Sequence, residues 1–427
     1  MAVEIFENRP VKSRQKRDII VFYILASIIF LSILFYTFLQ SSPNISSDLP
    51  TIKIMTEENP NYESYTNCTL QLSTSDGTEE FEPLKSKIRI RGSGTGWNAF
   101  SPKKGYRLKL SSDISLLNLR KDDDWLLIGM YSDYPRMRIK MAFDTWRSLQ
   151  STDPTAILPD SKYVLLYLNG EFQGLYLLAE KNDRELFSLD EAQNNIDSSL
   201  IFQTKFNTDL KHYDEEAWEQ DWPNDYEGIY IMEEILINLT SFICNSQDDD
   251  FFHMKTGIYS KFDKLNLIDF FLYNYFIQHK DFWDKNYFLI RNSHPNKFYF
   301  VPWDFDECFG QFAWKKYDAE DDFITEISDI RSNNELYNRL LGNSKFMEDC
   351  RIRWFELREI LWTNEFFSDL ITTFYEEIEG VLELDTDLWN PGRYDENWNC
   401  DAHKYIKHLN QWILERLEIC DTYFSMF

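Results

Sequence analysis

Hydrophobic and polar positions change rhythm along this chain. The first segment has no polar face at all. Ile19–Leu39 (IIVFYILASIIFLSILFYTFL) runs 21 residues without a charge, and only Ser27, Ser32 and Thr37 are clearly polar. At about 1.5 Å per residue it reaches roughly 30 Å, the thickness of a bilayer's hydrocarbon layer. A core helix of that length would show a polar stripe, so the run predicts a transmembrane helix. Ser41–Leu49 is polar and aperiodic and reads as a stalk. A period of two follows: Lys87–Arg91 (KIRIR) and Gly105–Leu110 (GYRLKL) alternate as strands around the loop Gly92–Gly96. Pro135–Leu149 has helical spacing, with Ile139, Ala142, Phe143, Trp146 and Leu149 on one face. Tyr163–Leu168 and Phe172–Ala179 flank Asn169-Gly170, the strongest short-range hairpin signal. After Asp183 the rhythm turns helical over Ile229–Cys244, Lys261–His279, Asn334–Leu341, Cys350–Leu361, Glu365–Leu384 and Asp401–Phe424. Two short strands interrupt it, Tyr287–Arg291 and Phe298–Val301.

Charge orients the anchor. Arg9, Lys12, Arg14, Lys16 and Arg17 precede the apolar run, and no Lys or Arg follows until Lys53. Positive flanks stay in the cytosol, so a type II topology is expected, with the C-terminal mass lumenal or extracellular. The rival is a cleaved signal peptide, whose apolar region is shorter and ends at small residues; this run ends Phe38-Leu39-Gln40. Sequons at Asn44, Asn67 and Asn238, and six cysteines all placed after the anchor, are consistent with a secretory lumen that permits glycans and disulfides. Buried free thiols are the alternative. The expected layout is a basic tail 1–18, an anchor 19–40, a stalk 41–50 and one large domain 51–427, divided near residue 183. A net charge of −27 excludes a nucleic-acid surface. The acidic patches Asp214–Glu227 and Asp248–Asp250 lack an EF-hand pattern and read as solvated loops.

Three segments carry candidate chemistry. Arg91-Gly-Ser-Gly-Thr-Gly-Trp97 places glycines between two strands, where backbone N–H groups can approach phosphates. A plain flexible turn is the alternative, and Lys103 and Lys104 do not complete a Walker motif. Arg91, Lys103, Lys104, Arg107 and Lys109 surround this loop, and Arg107 and Lys109 share one strand face. His279-Lys-Asp-Phe-Trp-Asp-Lys-Asn286 separates Asp281 from Asn286 by five residues, as in the kinase catalytic loop H-R-D-x-x-x-x-N. A carboxylate there orients an attacking hydroxyl, and the amide oxygen holds a metal; the spacing also arises by chance in an acidic chain. His279 reads as structural. Val301-Pro-Trp-Asp-Phe-Asp306 puts two carboxylates two apart on an extended segment, where they could share Mg²⁺ or Mn²⁺ or simply cap a helix. A base–Asn loop followed about 20 residues later by a metal carboxylate is the order a kinase needs.

These blocks resemble the CotH kinase family. RIRGSGTGW…SPKKGYRLKL, DYPRMRIKMAFD, YLNGEFQGLYLLAEKND, HKDFWDKNYFLIR and FYFVPWDFDECFG are similar to family blocks in the same order. Residues from about Thr51 onward take part, Phe309–Phe427 only loosely. The resemblance implies an α+β, atypical bilobal protein-kinase-like fold behind the transmembrane helix, with a β-rich N-lobe and a mainly helical C-lobe. It implies metal-dependent transfer of the ATP γ-phosphate to Ser or Thr of secreted or lumenal protein substrates. Asp281 then matches the catalytic base and Asp304 the metal-binding Asp, with Asn286 and Asp306 as further metal ligands. Glu180 lies near the nucleotide, and Lys104, Arg107 and Lys109 are unranked phosphate contacts. Arg138 stands where an ordinary kinase helix carries the lysine's Glu partner, and Arg136–Leu149 contains no Glu at all. Ile139 and Lys280 depart from the family's Asn and Trp. An inactive coat scaffold, a glycan kinase and an AMP transferase are the competing readings.

Overall fold

Period-two alternation closes the first third of the domain into a barrel. The computed structural model describes residues 48–92, 101–206, 208–224, 228–279, 283, 285–312, 315–320, 327–389 and 402–427. β1 (Thr51–Thr56), β2 (Thr66–Ser73), β3 (Leu84–Ile90), β4 (Tyr106–Ser115) and β5 (Lys121–Ile128) form an antiparallel meander. β6 (Ser161–Leu168) and β7 (Glu171–Glu180) form the hairpin that Asn169-Gly170 announced. β7 pairs with β5, and β6 pairs in parallel with β1, Thr51 opposite Leu165, which completes a closed ring of order β1-β2-β3-β4-β5-β7-β6. Closure leaves no open sheet edge. Alternate side chains turn inward: Ile52, Ile54, Leu70, Leu72, Ile88, Leu108, Trp125, Leu127, Val164, Leu166 and Leu178 are fully buried in one cluster.

α1 (Arg138–Ser148) crosses between β5 and β6. A second antiparallel sheet of order β11-β10-β8-β9 joins β8 (Leu200–Thr204), β9 (Trp218–Trp222), β10 (Tyr287–Arg291) and β11 (Phe298–Pro302). β12 (Gln311–Phe312) and β13 (Lys315–Lys316) make a two-residue pairing. Helices α2 (Met232–Asn245), α3 (Lys264–Ile277), α4 (Ile327–Asn333), α5 (Glu335–Leu341), α6 (Ser344–Ile360), α7 (Asn364–Trp389) and α8 (Ala402–Phe424) supply the rest, with two four-residue turns between α2 and α3. α3 is the central post: Asn266 through Ile277 are all buried. Its N-terminus is capped by Asp263, whose side chain accepts from Asn266 N–H. Its one buried carboxylate, Asp269, is met by Arg353 of α6 at 2.7 and 2.8 Å.

The expected mixture of α and β stands, but two parts of the fold expectation are corrected. The β-rich lobe is a closed seven-stranded barrel rather than a kinase-like sheet, because β6 turns back onto β1. The second half is less purely helical than expected and carries the four-stranded sheet. No helix among the described residues is long and apolar enough to cross a membrane. α3, the most apolar, has 14 residues and spans about 21 Å, short of the hydrocarbon layer. The longer α7 and α8 carry charged faces. The anchor run 19–39 lies outside the described residues, and the fold and type II localisation that were built on it are withdrawn. The disulfides that six cysteines permitted are also absent among the described residues. Cys68, Cys244, Cys308, Cys350 and Cys420 are free thiols.

Candidate active site

The barrel's alternation points one row of cations outward. Ile88 and Leu108 turn into the core, so their neighbours Arg89 and Arg107 stand outside, directly opposite each other across β3 and β4. Arg91 continues the row: its N–H donates to Gly105 O at 2.8 Å, one step beyond the end of β3. Arg89, Arg91 and Arg107 line a cavity of about 750 Å³, whose other wall includes Gln203, Asp221 and Phe288 of the second sheet. The Nε atoms of Arg89 and Arg107 are buried without a hydrogen-bond partner. Desolvated donors left open in this way favour an anion. The Arg91 guanidinium lies over the Trp303 ring, 5.5 Å from its centroid. Burial pulls Arg91 below the ordinary arginine range; Asp304 and Asp306 pull it back up, while Arg107 adds to the lowering.

The carboxylates arrive from the end of β11. Trp303 N–H donates to Asn286 O at 2.8 Å, which sets Asn286 beside the turn. His279, just past α3, donates through Nε2 to Asp304 O at 2.7 Å. Asn286 and Asp304 both take left-handed backbone conformations, φ +61° and +66°. Asn and Asp adopt that region more readily than other non-glycine residues, and the bonds from Trp303 N–H and His279 Nε2 hold the two turns there. Asp304 is exposed, and Asp306 is part-buried with Oδ2 accepting from Ser132 Oγ at 3.3 Å. Burial, then Asp304, then Glu307 push the Asp306 carboxyl well above the usual range, against Ser132 and Arg91. Asp304, Asp306, Arg91 and Lys103 line a second, small cavity of about 80 Å³. Arg91 and Trp303 belong to both cavities, so the cation row and the carboxylate pair meet there.

Over this architecture, the family model described as CotH kinase protein matches residues 88–420. The chain belongs to the CotH kinase family. It is also 23% identical over 303 residues to the inner spore coat protein H of Bacillus subtilis (strain 168), a match that covers 68% of this chain and 77% of that protein. That relative is named for a spore coat.

Within this CotH family member the remaining sequence-derived residues fall in different places. Asp281 lies outside the described residues. Lys109 lines the large cavity but is already bridged to Asp123 at 3.0 Å and Asp124 at 3.2 Å. Burial lowers it, yet those carboxylates prevail and hold it at about 12. Lys104 holds its ammonium 5.6 Å from the centre of the Tyr62 ring, and its carbonyl accepts from Tyr176. Glu180 is buried, and its two oxygens accept from the backbone N–H groups of Arg120 and Asp160, both at 3.0 Å. It ties β7 to its neighbours and lines neither cavity. Arg138 is fully buried, 3.6 Å from Asp133 and donating to Phe309 O. Arg89, Ser132 and Asp221 were not singled out from sequence. The outward placement of Arg89 was readable in KIRIR, since it alternates with Ile88 and Ile90.

The candidate metal-ligating side chains are the carboxylates of Asp304 and Asp306, with Asn286 on the adjoining turn held by its backbone carbonyl to Trp303 N–H. That set suits a hard cation such as Mg²⁺ or Mn²⁺. Asp304 and Glu307 add to burial in raising the Asp306 carboxyl, and a divalent ion there would relieve that repulsion. Among the described residues no group of three or more His, Cys, Asp or Glu converges on one point. The fit therefore rests on the carboxylate pair.

Proposed function

We propose that this CotH family member is a metal-dependent protein kinase that moves the γ-phosphate of ATP to a Ser or Thr hydroxyl. The observation that carries the reading is Arg91, a wall residue of both the cation-lined cavity and the carboxylate cavity. Phosphoryl transfer demands positioning and charge neutralisation more than a strong base. Arg89, Arg91 and Arg107 bind and orient the polyphosphate. Asp304, Asp306 and Asn286 hold Mg²⁺ or Mn²⁺, which when bound neutralises charge on the phosphates. Asp281 accepts or orients the proton of the attacking hydroxyl. His279 fixes the Asp304 backbone and takes no proton from substrate.

Incubation of the full chain with ATP labelled at the γ or the α position tests this. Label retained on protein from the γ position supports phosphorylation; label from the α position alone means AMP transfer. The name of the spore coat relative favours one second reading, a non-catalytic coat component that keeps the fold. That reading predicts no metal-dependent nucleotide binding by thermal shift and indifference to Asp304→Ala.

A further inference from the structure

Helix α1 brings no Glu toward the phosphate-binding strands, but a buried acid reaches the same region from the far end of the chain. Asp385 sits near the C-terminal end of α7 with no solvent exposure. Its Oδ1 accepts from Lys103 Nζ at 2.6 Å and from Leu175 N–H at 2.7 Å. Its Oδ2 accepts from Arg136 Nε at 2.7 Å. β7 makes room for this carboxylate at Gly174, where φ is +92° and a Cβ would lie 2.1 Å from Asp385 Oδ1. Lys103 and Arg136 hold the Asp385 carboxyl below the usual range although burial alone would raise it.

Of the two cations held by Asp385, Lys103 is a wall residue of the small cavity, and Arg136 holds the loop that supplies Met130, Tyr131 and Ser132 to that wall. Lys103 precedes β4 by three residues. Lys103 Nζ is spent on Asp385 and on Leu175 O at 2.6 Å, so it is not a phosphate ligand. Arg136 Nη1 donates to the carbonyls of Met130, Tyr131 and Asp133 at 2.9, 3.3 and 2.7 Å. Those contacts set the loop that carries Ser132, and Ser132 Oγ reaches Asp306. A continuous run of contacts thus joins α7 to the carboxylate pair: Asp385, Arg136, the loop 130–133, Ser132, Asp306.

We propose that Asp385 is a positioning residue for phosphoryl transfer, supplying from α7 the acidic partner that α1 lacks, and fixing Lys103 and the loop 130–133 around the site. The proposal rests on the kinase reading above. Asp385 touches neither nucleotide nor metal; it acts through Lys103, Arg136 and Ser132.

The test is titration of the full chain with ADP and Mg²⁺, well below the melting temperature of each variant. Asp385→Asn keeps the shape of the side chain and removes its charge. Expected is an affinity about tenfold or more weaker, with turnover lower by about 10²-fold, the scale of a catalytic group misplaced by an ångström. Arg353→Met is the control. It breaks a different buried ion pair, at Asp269, whose residues line neither cavity. It should lower the melting temperature as much or more while ADP affinity stays within about twofold of wild type. Asp385→Asn binding ADP like wild type overturns the inference and leaves the kinase reading intact. A wild type that binds no ADP overturns the kinase reading, and the inference with it. Should Asp385→Asn fail to fold, Arg136→Lys carries the same expectation, because it keeps a cation for Asp385 while removing the Nη1 contacts that set the loop 130–133.

Discussion

Replacing Arg91 with methionine keeps most of the side chain's length and apolar stem but removes its charge and all its donors. The stem can still pack on Trp303, which the guanidinium now covers. What is lost is the cation between the two cavities, poised near Asp304 and Asp306. A hydrogen bond to a charged partner contributes about 1.5–3 kcal/mol, so Mg–ADP affinity should fall by about 10- to 150-fold. Lys109→Met is the matched comparison. Its side chain is 42% exposed and its ammonium is shared between Asp123 and Asp124, so little of its charge is left for a ligand. Its loss should weaken affinity by no more than about threefold. The assay is calorimetric titration of the full chain at one fixed ionic strength, with urea unfolding to show that both variants are folded. Arg91→Met binding within about twofold of wild type, or Lys109→Met costing more than Arg91→Met, refutes the assignment of the phosphates to the β3–β4 arginine row.

Three further outcomes are expected. Asp304→Ala should abolish metal-dependent ATP turnover, and Asp281→Ala should lower it severely without unfolding the domain; label transfer from γ-labelled ATP measures both. Gly174→Ala drives a Cβ into the Asp385 carboxylate. Urea unfolding should show a loss of about 3–5 kcal/mol from the broken pair plus about 1–2 kcal/mol from the positive φ, and a loss below about 1 kcal/mol contradicts the packing. Burial, with Glu219 adding to it, pushes the Asp221 carboxyl up from 3.8 to about 6, against Lys181 and Arg107. The folded state therefore holds this proton where the unfolded chain has lost it, so Asp221 costs stability progressively as pH rises from about 4 to 6. Asp221→Asn should match wild type near pH 4 and gain about 2–3 kcal/mol over it at pH 7 in urea unfolding; equal differences at the two pH values would count against it.

Much of the scaffold was legible because side-chain periodicity is a local property. The hairpin at Asn169-Gly170 formed as read, with Leu165 opposite Leu175. Tyr287–Arg291 has the bounds read from sequence, and the helical stretches lie within a few residues of α2, α3, α5 and α8, while α6 begins six residues earlier and α7 ends five residues later than read. β1, β2, β5, β8 and β9 were not read as strands. β5 opens with Lys121-Asp-Asp-Asp124, which looks like a solvated loop. It is a strand because its inward Trp125 and Leu127 fill the barrel while Asp124 pairs with Lys109 and Lys181 on the outside. Such segments are stabilised by partners that local pattern does not contain.

The amino-acid sequence by itself determined the family, the order of the strands and helices it could read, and the candidate carboxylate pair Asp304 and Asp306, because each is encoded in residues close together along the chain. Tertiary structure alone decided the rest. Barrel closure required β1 to meet β6, more than a hundred residues away. Lys103, adjacent in sequence to a candidate phosphate ligand, became a buried partner of Asp385, 282 residues distant. Arg91 and Trp303 became common to two cavities because β3, β4 and the end of β11 converge there. The physical reason is the same in each case. A charge acquires its role from the charges and burial around it, and those are supplied by segments that only the folded chain brings together.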